Sequence, residues 1–373
     1  MQKKKLLIVG SFPFLRSDYK SKKFYGGILK SSELLLDSSL SKEFNLLLID
    51  STHDSLNPPH FILKLLAGFK RVLQLIKFII KDRPKAVIIF CADGFSALEK
   101  GLMIILSNIF NIHSLIFPRA GNLITQMQKS IIFKKIIRFM FSRATIFLCQ
   151  GKTWELYAKD HLQIKHSKIF PVNNWSATQS LLKIGEKKLS NSPNIVPSLI
   201  FIGWLEETKG LMDLLQACRA LFLKGVDFNL KIVGRGKAEI NAQEFVRHHG
   251  MKAKISFTGW LDTQEVYKEL SDANIFVLPS WSEGMPNALI ESMAAGLCCI
   301  TTSVGMIPDY LENHNNAVLI NPRDIEMLVL ALETVILNKE LRGDIAYRGH
   351  IFAKEHFSSE NQIDRLLNVI SDI

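Results

Sequence analysis

Residues 275–296 read IFVLPSWSEGMPNALIESMAAG. Four large apolar residues closed by Pro279 have the composition of a strand buried on both faces. The loop that follows carries Gly284, and Pro286 suits the first turn of a helix, where its missing N–H costs nothing. Asn287 to Ala295 then reads as that helix, and Gly296 as its stop. Strand, glycine-containing loop and helix together form the repeating unit of a parallel sheet. The helix start is an anion site, because its N–H groups and dipole both favour negative charge. Two glutamates, Glu283 and Glu291, nevertheless flank it. Carboxylates facing an anion site make sense if they accept hydrogen bonds from sugar hydroxyls beside a phosphate. The alternative is a dipole-matched charge and a solvated helix residue. That alternative serves for two isolated glutamates, but the preceding strand and the Gly-Met-Pro between them favour the first reading.

The same alternation runs along the chain. KLLIVG, NLLLID, AVIIF, HSLIF and TIFLC recur in the first half, and SLIFIG, FNLKIVG, ISFTG, IFVLP, CCITT and AVLI in the second. Short apolar runs separated by helical stretches are the pattern of parallel α/β sheets. At 373 residues the chain is too long for one ordinary core. The expectation is two Rossmann-like, doubly wound α/β domains, with ligands at the carboxyl ends of the strands and a cleft where the two face each other. Residues 173–198, rich in Ser, Asn, Lys and Pro, read as the linker. Residues 1–172 are then the N-terminal domain and 199–353 the C-terminal, ligand-binding one. Residues 354–373 form a last helix.

Other strand ends carry weaker signals. In FIGWLEETKGLMDLLQA, Gly203 ends a strand and Lys209-Gly210 opens a helix, placing an ammonium within reach of a phosphate. Gly234-Arg235-Gly236 falls short of a dinucleotide fingerprint. Gly26-Gly27, before a helix after the first strand, would let backbone approach a ligand closely, and a flexible turn is an equal alternative.

These residues resemble the GT-B fold glycosyltransferases, in particular the large family 4 of retaining enzymes. FIGWLEETKG is similar to that family's strand-Gly-Arg-Leu…Lys-Gly segment. SEGMPNALIESMAAGLCCITTSVGMIPDYL is similar to its Glu-x7-Glu motif with the following strand and loop. The resemblance is strongest over 198–330. It implies a metal-independent retaining transferase of hexosyltransferase type, with a nucleotide-diphosphate sugar as donor and no cofactor. It implies catalytic roles for Glu283, at the donor sugar's hydroxyls, and for Lys209, at the diphosphate. Glu291 would bind the ribose. Gly203, Gly284, Met285, Pro286 and Asn287 would line the donor site, and Gly27 would lie near the diphosphate or the acceptor. The resemblance makes 1–172 the acceptor-side domain and 199–353 the nucleotide-sugar-binding one, with the last helix crossing back onto the first domain.

Three positions depart from the family. Trp204 stands where an arginine is usual, Met306 takes the second place of a usual Gly-Gly pair, and FPRAGN replaces a His-Gly. Arg119 and, after the preceding strand, Asp93 are acceptor-side candidates for a catalytic role. The alternatives are an acceptor-phosphate contact for Arg119 and a turn or cap role for Asp93.

Charge separates the halves. Residues 1–172 hold 27 Lys+Arg against 11 Asp+Glu, a net +16; the remainder holds 19 against 24, a net −5, of 46 and 35 in all. Within residues 60–81, His60, Lys64, Lys70, Arg71, Gln74, Lys77 and Lys81 fall in an arc of about 140° on a helix, amid Leu, Ile, Phe and Val. An anionic membrane would suit that helix, as would packing on the sheet, and the two are compatible. Residues 128–144 are also basic and apolar, with their charges scattered. Positive residues mixed with Leu and Ile, without a stripe of stacking aromatics, disfavour nucleic acid. The five cysteines show no metal spacing and read as reduced core thiols of a cytoplasmic protein. The start lacks a secretory signal's long apolar run, and no apolar segment reaches the length of a membrane span. The chain is expected to be cytoplasmic, soluble or peripheral on the inner face of the cell membrane. The two basic, apolar segments favour a lipid-diphosphate-linked or other membrane-borne saccharide acceptor, and the resemblance points to bacterial surface polysaccharide assembly, including lipopolysaccharide. A sugar-nucleotide epimerase of the same architecture and a non-catalytic membrane-associated nucleotide-sugar-binding protein are the alternatives.

Overall fold

The computed structural model describes residues 3–15, 27–52, 60–190 and 196–373. The chain divides into two compact units, Met1–Trp175 with Ser359–Ile373, and Ser176–Ser358. Each is built on a parallel sheet of six strands.

The first sheet comprises β1 (Lys5–Gly10), β2 (Asn45–Asp50), β3 (Ala86–Cys91), β4 (His113–Pro118), β5 (Ile146–Cys149) and β6 (Ile169–Pro171). Their order is β2-β1-β3-β4-β5-β6, so the winding reverses between β1 and β3. The strands β3 and β5 are buried throughout, as their unbroken apolar runs require. The strand β6 is missing from the sequence reading. It is three residues long, and only Ile169 of it is buried. Residues 128–144 span the end of the helix Asn122–Lys129 and the helix Ile131–Phe141, broken at Ser130, whose hydroxyl accepts from the Phe133 N–H at 3.2 Å and caps the second.

The helix Ser359–Ser371 belongs to this unit. Its Ile363, Leu366, Val369 and Ile370 close one core cluster with Leu6, Ile8 and Leu40. All five cysteines are buried free thiols.

The second sheet comprises β7 (Ser198–Ile202), β8 (Asn229–Val233), β9 (Ile255–Gly259), β10 (Ile275–Leu278), β11 (Cys298–Thr302) and β12 (Val318–Ile320). The order β12-β11-β10-β7-β8-β9 is a doubly wound sheet that reverses between β7 and β10.

Residues 173–198 differ from the linker read in the sequence. Asn173 and Asn174 are buried in the first unit, and Gln179–Ser190 is a helix whose Leu181, Leu182 and Gly185 are buried. The polar composition belongs to its solvent face, while the leucines supply a buried stripe. The helix Lys339–Phe357 runs past residue 353, so the later crossing falls at Ser358.

Candidate functional site

The reversal between β7 and β10 brings together two loops far apart in sequence. After β7 the chain makes a 3-10 turn, Glu207–Lys209, and enters the helix Leu211–Leu223 through Gly210. After β10, residues 279–286 lead to the helix Asn287–Ala294. The Trp281 N–H donates to the Thr208 carbonyl at 2.8 Å, and the Trp281 indole N–H donates to Asp213 Oδ2 at 2.7 Å. The Arg323 guanidinium lies over the Trp281 ring, 4.0 Å from its centre. Gly210 has φ +69°, and a Cβ there would sit 2.0 Å from the Pro279 carbonyl oxygen. No other residue type fits the close approach of the two loops at that point.

This framework pairs Lys209 with Glu283. The ammonium donates to Glu283 Oε1 at 2.6 Å, and the Ser280 hydroxyl donates to the same oxygen at 2.7 Å. The Glu283 side chain is 8% exposed, so the pair is largely shielded from water. The loop is held from below by Thr302, whose hydroxyl donates to the Ser280 carbonyl at 2.6 Å.

A third loop, after β11, packs beneath Glu283. Gly305 has φ +60°, and its Cα lies so close that a Cβ would be 2.1 Å from the Glu283 carbonyl oxygen. Met306 is buried with φ −97° and donates its N–H to the Gly284 carbonyl at 3.1 Å. The left-handed conformation is thus required at Gly305 alone, and a side chain at 306 fits.

Pro286 is the N-cap of Asn287–Ala294 and not its first helical residue; the helix opens with no side-chain cap. Gly284, Met285, Pro286 and Asn287 follow Glu283 along this loop and helix start, with Met285 buried. Glu291 is buried in the second turn, near the Tyr267 phenol. Burial raises the pKa of Tyr267, the Thr178 hydroxyl at 2.9 Å lowers it, and the Glu291 charge raises it further. Gly203 follows β7, and its N–H donates to the Val233 carbonyl at 3.1 Å. Trp204 follows it and meets Trp260 edge to face, with ring centres 4.7 Å apart. Arg235 pairs with Glu239 at 3.5 Å. Among the described residues, no group of three or more His, Cys, Asp or Glu is placed to hold a metal ion.

The remaining candidates lie on the first unit. Gly27 opens the helix Gly27–Leu36, and Gly26 lies outside the described residues. Asp93 follows β3 and its Oδ2 accepts from Asn122 Nδ2 at 3.2 Å, while Gly94 is the N-cap of the next helix, which has no side-chain cap. Arg119 follows β4. Its guanidinium lies 5.0 Å from the Phe117 and Trp175 ring centres, and Nη2 donates to Ser31 Oγ at 2.7 Å. Burial pulls its pKa down to about 9.

Ser280 and Thr302 escaped the sequence reading, and Gly305 entered it only as the first place of the Gly-Gly pair. Each lies at or just beyond a strand's carboxyl end, and for the first two that position was the only signal.

Residues 186–351 match the family of glycosyl transferases group 1. The matched stretch lies within the second unit. The putative colanic acid biosynthesis glycosyltransferase WcaL of Salmonella typhimurium is 31% identical over 147 residues, 38% of this chain and 36% of WcaL. The lipopolysaccharide core biosynthesis glycosyltransferase LpsE of Rhizobium meliloti is 26% identical over 200 residues, 54% of this chain and 57% of LpsE. The chain thus matches between about a third and just over half of these relatives' lengths. Both units align with HepE of Anabaena, in a crystal structure with UDP-glucose. The TM-score is 0.72 at 13% identity, over 99% of this chain and 100% of HepE. The fold is therefore that of the GT-B glycosyltransferases.

Proposed function

We propose that this chain is a retaining, metal-independent glycosyltransferase. It moves a sugar from a nucleotide-diphosphate sugar to a lipid-linked saccharide in bacterial surface polysaccharide assembly, on the cytoplasmic side of the membrane. The observation that carries the reading is the Lys209–Glu283 pair at the sheet's reversal point, beside a helix start without a side-chain cap. The names of WcaL and LpsE support the polysaccharide setting, and the UDP-glucose complex of HepE supports the donor class.

The chemistry follows from charge. As the bond from the anomeric carbon to the diphosphate oxygen breaks, positive charge grows on the sugar ring and negative charge on the leaving phosphate. Lys209 and the backbone amides of Gly284 to Asn287 stabilise that phosphate. Glu283, freed from Lys209 as the phosphate takes over the ammonium, accepts hydrogen bonds from the sugar hydroxyls and fixes the ring's orientation. Glu291 receives the ribose hydroxyls. The acceptor oxygen bonds to the face the diphosphate leaves, and its proton passes to a phosphate oxygen, giving a glycoside of retained configuration and a nucleoside diphosphate. Asp93 and Arg119, at the carboxyl ends of β3 and β4, are assigned to the acceptor side.

Thermal shift with UDP and with GDP tests the donor site. A ligand at 100 times its Kd stabilises by about 2.7 kcal/mol. A shift with one nucleotide that Glu291→Gln abolishes supports the reading, and no shift with either overturns it. Transfer of a sugar, as opposed to donor epimerisation or binding alone, then separates the transferase from the other two classes.

A further inference from the structure

The helix Phe61–Asp82 carries three stripes where a surface helix ordinarily has two. Gly68, Val72, Leu75 and Ile79 are buried against the first unit. Lys64, Lys70, Lys77 and Lys81 lie on the basic arc. Between these runs a second apolar stripe, Ile62, Leu66, Phe69, Leu73 and Ile80, in which every residue is at least half exposed. Its spacing of three, four and, for the last step, seven residues keeps it on one side of the helix for about 27 Å.

The neighbouring helices continue the pattern. Phe95–Ile109 packs against both Phe61–Asp82 and Ile131–Phe141. It exposes Leu102 and Ile109 and no charged side chain. Ile131–Phe141 exposes Ile131, Ile132 and Phe139, with Ile132 at 74%, and carries Lys134, Lys135 and Arg138. Asp82 and Glu99 are the only acidic residues of the three helices. Both are occupied, Asp82 by Lys5 at 2.9 Å and Glu99 by Arg71 at 2.7 Å.

We infer that these three helices form a face that docks on an anionic lipid bilayer. A second copy of the chain would present the same lysines and oppose them, like against like. Lipid headgroups supply the missing negative charge, and the acyl boundary takes the exposed apolar stripe while the lysine stems reach back to the phosphates. The face lies wholly on the first unit and makes no use of the Lys209 site, so docking and donor binding fail separately.

Co-sedimentation of the full chain with vesicles tests this. The probes are equimolar phosphatidylcholine and phosphatidylglycerol against phosphatidylcholine alone. The chain should pellet with the anionic vesicles, less so as salt rises, and stay in solution with the neutral ones. Leu66→Ser with Phe69→Ser should lose most of that binding with an unchanged melting temperature, since both side chains are exposed. Lys70→Glu with Lys77→Glu should weaken it by about tenfold or more. Equal binding by wild type and both double variants would overturn the inference. So would absence from anionic vesicles, or self-association in solution that the serine variants abolish.

Discussion

Lys209 Nζ and Glu283 Oε1 lie 2.6 Å apart, joining the loop after β7 to the loop after β10 where the strand order reverses. The two charges neutralise each other, and in the proposed reaction a donor phosphate competes for the ammonium, so the two side chains should respond differently to removal. Lys209→Met should weaken UDP binding by about ten- to a hundredfold, the range of a charge-assisted hydrogen bond. Glu283→Gln should leave UDP binding as tight or tighter, because the ammonium is released, while sugar transfer collapses. Calorimetry with UDP beside a transfer assay reads both. Parallel losses of UDP affinity in the two variants would refute this division of labour.

Gly305 supports Glu283 through backbone alone. A Cβ at 305 would meet the Glu283 carbonyl at 2.1 Å in a left-handed conformation, so the loop must move to admit it. Gly305→Ala should cost about 1–3 kcal/mol of stability and lower transfer more than it lowers UDP affinity. Denaturant titration and kinetics on one preparation check this. Wild-type values for both would show that the contact is slack.

Much of the fold could be read from the chain because parallel strands buried on both faces leave continuous apolar runs, as β10 does, and all six strands of the second sheet fall on the short runs named from the sequence, β9 among them although only its ends, Ile255 and Gly259, are buried. The strand β6 is not, being a short edge piece ending at Pro171. The helix Gln179–Ser190 was hidden by its polar solvent face. At the site, Lys209 and Glu283 stood out singly by their motifs. Their contact did not, since 74 residues separate them and the strand order decides which loops meet. Ser280 and Gly305 act through that same proximity, which periodicity does not encode.

Trp204, next to Gly203 after β7, spends its ring on Trp260. Such a pair contributes about 0.5–1.5 kcal/mol beyond burial. Trp204→Arg should lower the melting temperature slightly and tighten UDP binding by about tenfold at low salt. Titration of UDP at two ionic strengths measures it. Weaker binding at both would mean that the indole itself holds the nucleotide.

Lys188 gives the second unit a pH signature. Its ammonium donates to the Leu270 and Ala273 carbonyls at 2.5 Å each, at the end of the helix Thr263–Asp272. Burial pulls its pKa down to about 7, against the nearby Asp272 charge, from an ordinary 10.5. Between those two values the unfolded chain holds a proton that the folded one has lost, so stability rises with pH across that window. The slope approaches ~1.4 kcal/mol per pH unit for one proton. Lys188→Met should flatten it. Denaturant midpoints of both proteins across the window decide the matter, and parallel curves would discard it.

The first unit is interrupted in sequence, since the helix Ser359–Ser371 completes it only after the whole of Ser176–Ser358. During synthesis the second unit is contiguous and free to finish first. At ~5–20 residues per second, the first sheet waits on the order of ten to forty seconds for the helix that covers Leu6, Ile8 and Leu40. Through that interval the nascent chain shows chaperones an uncovered apolar core. A premature stop codon near residue 358 would make that exposure permanent, turning a truncation remote from Lys209 into a substrate for proteolysis.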